Sequence, residues 1–438
     1  MERLIDFVSL LGIVQQYISQ NYSQLLTDDD KKPQLRSYIM KFLQDNDYAV
    51  RRMTQEDVAD KLYTEMAEYS VLTPLLGRSD LEEINVNSWD DIAITYTTGR
   101  IEKLTEHFYN PQHCTDIVKR LLQHSDMIID NTMPMQQGHL PNNTRITALK
   151  TPLVDENVGM AVSIRLLHPN TISKEKIVEY GTGTQKIIDF LCYCIRYGVS
   201  LIVAGATSSG KTTLLNALLG TIPNEKRIFT IESGARELSL VKADEEGHII
   251  NNVVHTLSRP SENESYDIKQ EHLVVASLRF NPDVIVVGEM RDSEAYSAVE
   301  ASLTGHTVVS TVHASAADMA HTRIALLTQK KFDIDFQISL MQAAQAFPIV
   351  VYAHKLEDNS RRIMDISECE VTPNGERLYR TLFRYVITKN ELINGKYHIE
   401  GHFEQVEGIS ESLKRRLRQF GIPENILERF LTLGADYQ

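Results

Sequence analysis

Long apolar runs are missing from this 438-residue sequence. No stretch approaches the roughly 20 consecutive apolar residues that a membrane-spanning helix needs. The opening segment, Met1 to Leu11, carries Glu2, Arg3 and Asp6 inside its apolar run and has no small-residue cleavage site, so a secretory leader is not expected. Cysteine is scarce, and the four residues, at 114, 192, 194 and 369, form no C-x-x-C pair. A zinc site would want close-spaced pairs and a disulfide framework a small secreted chain, so reduced, packed thiols are expected. Positive charge is also short: 45 Lys and Arg face 59 Asp and Glu, a formal net charge of −14. That balance argues against a sequence-independent nucleic-acid coat, whose affinity rests on basic surface. Internal repeats and low-complexity tracts are absent too. These absences predict a cytoplasmic protein that meets membranes through a partner. The remainder, 42% hydrophobic and 24% charged, is a folded globular composition, long enough for roughly three domains at about 150 residues each.

Hydrophobic periodicity changes along the chain. Leu4, Phe7, Val8, Leu11, Val14 and Ile18 fall near i, i+3, i+4 spacing and predict a helix. The run Thr27-Asp28-Asp29-Asp30-Lys31-Lys32-Pro33 ends it, and helical patterns follow over Leu35–Leu43 and Val58–Leu72. Residues 1–70 thus read as a helical appendage for docking or packing. In 71–170 the period shortens: Ile84 and Val86, then Ile92, Ile94 and Tyr96, alternate as strands do, with Thr98-Gly99-Arg100 as a turn. Pro111–Met127 has helical spacing, and Thr144–Leu149 and Val158–Leu166 again read as strands. A small α+β domain fits. Pro169, Gly181 and Gly183 interrupt a short helical stretch and mark a hinge, bounded as 171–183.

From 184 to 354 helices alternate with short, continuously apolar strands: Ser200–Ala204, Arg227–Ile231, Val284–Val287 and Thr307–Thr311. Strands of that kind are covered on both faces, the mark of a doubly wound α/β domain. The acidic stretch Asp244-Glu245-Glu246-Gly247 reads as a solvated turn. Residues 355–438 turn to β-like segments, Arg361–Glu368 and Leu378–Val386, and close on a helical stretch with Lys414-Arg415-Arg416-Leu417-Arg418.

The chemistry concentrates after the strand Ser200–Ala204. Gly205-Ala206-Thr207-Ser208-Ser209-Gly210-Lys211-Thr212, with Thr213 following, is a G-x-x-x-x-G-K-[ST] loop that opens a helix. Gly205 and Gly210 allow backbone angles that let successive N–H groups wrap a phosphate, and the helix N-terminus adds positive potential. Lys211 is placed for the β- and γ-phosphates and Thr212 for Mg²⁺. The apolar run Asp283–Val287 leads through Gly288 to Glu289, a carboxylate at a strand end, where α/β sheets bind ligands. It is a candidate to hold Mg²⁺ or to orient water. Glu232 ends the strand before it and is a second candidate for water activation. His306 and His313 bracket the strand Thr307–Thr311 as candidate γ-phosphate sensors, against the plainer role of packed histidines.

These boxes in order resemble the secretion traffic ATPases of the type II/type IV secretion superfamily, and within it the CpaF-like branch serving Tad-type pili. The resemblance spans about 70–390. It rests on the loop above, the acidic box Thr230-Ile231-Glu232-Ser233-Gly234-Ala235-Arg236-Glu237-Leu238, the segment Val286-Val287-Gly288-Glu289-Met290-Arg291, and the histidine box Thr304-Gly305-His306 with Ser310-Thr311-Val312-His313-Ala314. Leu278-Arg279-Phe280-Asn281-Pro282-Asp283, Leu140-Pro141-Asn142-Asn143-Thr144-Arg145-Ile146 and Ser163-Ile164-Arg165 also match. It implies a RecA-like ATPase domain, ATP and Mg²⁺ as cofactors, and a homo-hexameric ring held at an inner-membrane platform protein of a pilus or secretion system. No direct nucleic-acid binding is expected. It further implies that Arg145 and Arg165 reach the nucleotide from the N-terminal domain. Two departures are visible. Ser233 stands where the family carries a second acid, so Glu232 is expected to be a weaker but more reliably ionised base. The tetracysteine insert of the type II assembly branch is missing. A conjugative type IV transfer ATPase and a nucleotide-gated scaffold with little turnover are the alternatives; a helicase is disfavoured by the acidic balance and the lack of helicase motifs.

Overall fold

The structure is a computed structural model, and it describes residues 3–27, 31–123, 125, 127–140, 144–166, 172–234, 236–259 and 265–430. Asp28-Asp29-Asp30, Pro141-Asn142-Asn143, Pro169 and Ala235, all used in the sequence reading, lie outside the described residues. The chain divides into two compact units, Met1–His168 and Pro169–Gln438.

The first unit begins with a small helical layer. Strand β1 (Arg3–Ile5) pairs in parallel with β2 (Tyr48–Val50), and three longer helices surround them: Phe7–Asn21, Lys32–Asp45 and Gln55–Ala67. Leu4 belongs to β1 and is 67% exposed, so the first helix starts later than its apolar spacing suggests. The reason is local: the Asp6 carboxylate accepts from Ser9 N at 2.9 Å and caps the helix there. Thr54 and Asp57 form a reciprocal capping box on the third helix. Leu10, Val14, Ile18, Leu35, Ile39 and Leu62 build the shared core. The third helix stops at Ala67, and a single 3₁₀ turn, Ser70–Leu72, follows it.

Six antiparallel strands complete this unit: β3 (Leu81–Ser88), β4 (Asp91–Tyr96), β5 (Ile101–Lys103), β6 (Met135–His139), β7 (Arg145–Lys150) and β8 (Met160–Arg165), in the order β5-β4-β3-β8-β7-β6. Alternation decides the faces. Met160, Val162 and Ile164 are buried, and Ile117, Val118 and Leu121 of the helix Pro111–Gln123 join the same cluster. A buried polar knot ties helix to sheet domain: Glu65 is 5% exposed, accepts from Tyr109 OH at 3.1 Å, and lies 3.1 Å from His113 Nε2. Tyr109 N donates to His113 Nδ1 at 3.3 Å.

The second unit is built on one nine-stranded sheet. Its strands are β9 (Leu201–Ala204), β10 (Arg227–Glu232), β11 (Asn252–Leu257), β12 (Val284–Met290), β13 (Thr307–Val312), β14 (Ile349–Lys355), β15 (Arg361–Val371), β16 (Arg377–Ile393) and β17 (Lys396–Gln405). The order is β11-β10-β12-β13-β9-β14-β15-β16-β17; the first six are parallel, and β15 to β17 extend the sheet antiparallel. Successive residues of the parallel strands feed two cores. Leu201, Val203, Val286 and Val309 face the helices Gln185–Arg196 and Lys211–Leu219; Ile202, Ile285, Val287 and Val308 face Glu294–Leu303 and Ala317–Gln329. This is the RecA-like, doubly wound α/β arrangement. The segment after His354 joins the same sheet, and its helix Glu411–Gln419 is capped by Ser410, whose N–H and hydroxyl donate to buried Glu368.

Candidate phosphate-binding site

All six parallel strands point their carboxyl ends to one edge of the sheet, and the candidate residues collect there. β9 is fully buried and delivers the loop 205–210 to that edge. Gly205 is required by space: a Cβ there would stand 2.3 Å from Ala353 O and 2.6 Å from Ser209 Oγ. Gly210 caps the helix Lys211–Leu219 with φ +88°, and Ser208 adopts φ +60°. A non-glycine residue in that region costs about 1 kcal/mol and needs neighbours to hold it. One is visible: Arg361 Nε donates to Ser208 O at 3.0 Å. Within the loop, Ser209 Oγ and Lys211 Nζ both donate to Ala206 O, at 2.9 and 2.7 Å. Ala206, Thr207 and Ser208 are exposed, Thr212 is half-buried, and Thr213 is exposed.

Glu289 ends β12, two strands from β9, and Glu232 ends β10, three strands away. At about 4.8 Å per strand these are lateral offsets of about 10 and 14 Å. Glu289 is held from two sides. Its Oε1 lies 2.8 Å from His313 Nε2, and its Oε2 accepts from Arg291. Burial, and then the Lys211 charge, lower the His313 pKa, while Glu289 pulls it back up. The Arg291 pKa is raised, first by its bond to Glu289.

Glu232 is different in kind. It is 4% exposed; Oε1 accepts from Glu237 N at 2.8 Å and Leu238 N at 3.0 Å, and Oε2 is buried without a hydrogen-bond partner. Burial pushes its pKa up to about 7, against the two amide bonds that lower it. This corrects the expectation that Ser233 leaves Glu232 reliably ionised. Removing a neighbouring acid does not suffice when the carboxyl itself is taken out of water.

The two histidines part company. His313 stands at the carboxyl end of β13 beside Glu289. His306 precedes β13, seven positions before His313, about 23 Å at 3.3 Å per residue. It lines a cavity of about 200 Å³ with Arg196, Lys226 and Asp283, at the opposite edge. His306 is therefore no phosphate sensor. Arg145 and Arg165 belong to the first unit, where they are direct partners across the β7–β8 ladder; Arg165 also faces Glu83 on β3. Both sit on the face opposite the buried Ile146 and Ile164.

Arg361 is the residue that sequence reasoning missed. It comes 153 residues after Ser208, and no motif surrounds it; only its place at the head of a strand two positions from β9 brings it to the loop. The donor set fits a nucleotide with a divalent cation: a glycine-shaped cradle of N–H groups, a lysine, a threonine hydroxyl and a strand-end carboxylate. Among the described residues no cluster of three or more His, Cys, Asp or Glu side chains could bind a metal unaided, and no helix is long and apolar enough to cross a membrane.

The profile of the family described as "Type II/IV secretion system protein" matches residues 65–431. An uncharacterized protein of Methanocaldococcus jannaschii is 32% identical over 200 residues, 46% of this chain and 34% of that protein. The type IV secretion system protein PtlH of Bordetella pertussis is 34% identical over 184 residues, 41% of this chain and 52% of PtlH. A putative conjugal transfer protein of Mycobacterium tuberculosis is 25% identical over 313 residues, 70% of this chain and 86% of that protein. The chain thus spans about a third to a half of the length of the first two relatives. Among solved structures, the VirB11 ATPase of Brucella suis is similar at 22% identity, TM-score 0.35, covering 69% of this chain and 96% of that one. The pilus retraction motor PilT with bound ADP is similar at 18% identity, TM-score 0.44, covering 82% and 88%.

Proposed function

The chain belongs to the type II/IV secretion system protein family, and from that premise we propose that it is a Mg²⁺-dependent ATPase driving a pilus or secretion machine. The observation that carries this reading is the shared edge of β9, β12 and β13, where the phosphate loop, Glu289 and His313 come together.

The backbone N–H groups of 205–213 wrap the phosphates, and Lys211 exchanges Ala206 O for phosphate oxygen. Thr212 and Glu289 would hold Mg²⁺, which would supply positive charge to offset that of the phosphates. His313 and Arg291 hold the Glu289 carboxylate in place from two sides. Glu232, with its pKa near 7 and one buried oxygen unpartnered, is suited to take the proton of the attacking water. Arg145 and Arg165, paired on one sheet face, are assigned to the nucleotide's charge from the N-terminal domain. The working form in this reading is a homo-hexameric ring on the cytoplasmic side of an inner-membrane platform protein, of the Tad-pilus type. Domain limits of 1–70, 71–170, 171–183, 184–354 and 355–438 are proposed for it.

A second reading, an ATPase of conjugative transfer, is favoured by the coverage of the Mycobacterium tuberculosis relative. Phosphate release from ATP, with Mg²⁺ and with a chelator, tests the common core of both. Metal-dependent turnover is expected; a folded chain that binds ATP and releases no phosphate would be a scaffold instead.

A further inference from the structure

The first residues of β15 fasten two distant parts of the chain at once. Arg361 lies across the phosphate loop: its Nε donates to Ser208 O, and its Cδ lies 3.1 Å from where a Cβ on Gly210 would stand. Its neighbour turns the other way, as alternation along a strand requires. Arg362 Nη1 donates to Tyr180 O at 2.9 Å, and its guanidinium lies 3.5 Å from the Cβ position of Gly181. Ile363 N then donates to Thr182 O at 2.8 Å, and the Ile363 side chain stands 3.2 Å from the Cβ position of Gly183. Three consecutive residues therefore hold the phosphate loop on one side and Tyr180–Gly183, the end of the linker, on the other.

The hold on the loop is on strained backbone: Ser208 has φ +60°, a conformation that a non-glycine residue keeps while surrounding contacts fix it. Gly181, at φ +68°, turns without that strain. The strand between them is laddered rigidly, with Lys355 opposite Arg361 and His354 opposite Arg362 on β14, which itself pairs with β9. A shift of Arg361 thus has a short, hydrogen-bonded path to the linker.

We propose that Arg361–Ile363 is a transmitter that reports occupancy of the phosphate loop to the linker segment Tyr180–Gly183. The proposal rests on the loop being a nucleotide site. A phosphate in the loop offers the guanidinium a charge-assisted partner stronger than the neutral Ser208 carbonyl. Arg361 then has different partners in the two states, which is the differential interaction that any ligand-driven change requires. Arg361 acts here as the contact that changes partner with loop occupancy, and Arg362 as its link to the linker.

Hydrogen exchange on the full chain tests this, with a non-hydrolysable ATP analogue as the probe and parallel fluorescence titration for affinity. In the wild type the analogue should slow exchange across 205–213 and alter it at 180–183 and at the Ile363 amide. Arg361→Ala should weaken analogue binding in the titration and, at saturating analogue, keep loop protection but lose the linker response; Arg361→Lys, which retains charge without the planar fork, should restore part of both. Arg362→Ala should keep loop protection and lose the response at 180–183. Loop protection in the wild type without any linker response overturns the transmitter alone, as does a wild-type linker response in both Arg361→Ala and Arg362→Ala. Absence of loop protection in the wild type overturns the nucleotide-site reading itself.

Discussion

Glu232 holds its proton up to about pH 7 in the folded chain, whereas the ordinary value for its side chain is 4.5. Between these values the folded state binds a proton that the unfolded chain has released, so this residue lowers stability as pH rises from about 4.5 to about 7. Glu232→Gln removes that cost. It should raise thermal stability above pH 7, by at most about 3 kcal/mol at 1.36 kcal/mol per pH unit. The same change should lower ATP turnover by about 10² to 10⁴, the range for loss of a general base. Wild-type turnover should climb with pH through about 7, and that step should vanish from the variant. Calorimetry and a pH–rate series measure the two effects on the same samples. A variant with full activity and an unchanged profile would pass the role to Glu289.

At the scale of elements, the Glu65 knot is where the helical layer and the antiparallel sheet of the first unit are joined through polar groups. Tyr109→Phe leaves Glu65 Oε1 buried without its donor, and should cost about 1–3 kcal/mol by chemical denaturation. A cost under about 0.5 kcal/mol would mean that the knot relaxes or admits water. Elements with one strong period were readable from sequence: the helix around Leu10, Val14 and Ile18, the buried runs of β9, β12 and β13, and the alternating β8. β6 and β11 were not. Met135–His139 has no apolar alternation, and Asn252–Leu257 is a half-exposed edge strand, so each is a strand because of its neighbours. The site divides the same way. The loop, Glu232 and Glu289 follow strands in chain order and were legible, whereas Arg361 arrives through a strand pairing that no local pattern encodes. Burial, which sets the behaviour of Glu232, and the separation of His306 from His313 needed the fold.

For the whole molecule, Arg145 and Arg165 belong to one compact unit and the phosphate loop to the other, and the proposed working form is a homo-hexameric ring. Light scattering across a concentration series, with and without a non-hydrolysable ATP analogue, should show a hexamer that the analogue stabilises. A monomer at every concentration in both conditions would contradict the ring.

ATP turnover at the loop 205–213, as proposed, has its most direct handle in Lys211. Phosphate release should be measured side by side for the wild type and Lys211→Ala, both shown folded by circular dichroism and purified identically. Mg²⁺-dependent release by the wild type and release at background by Lys211→Ala are expected. Equal release by the two would contradict the proposal.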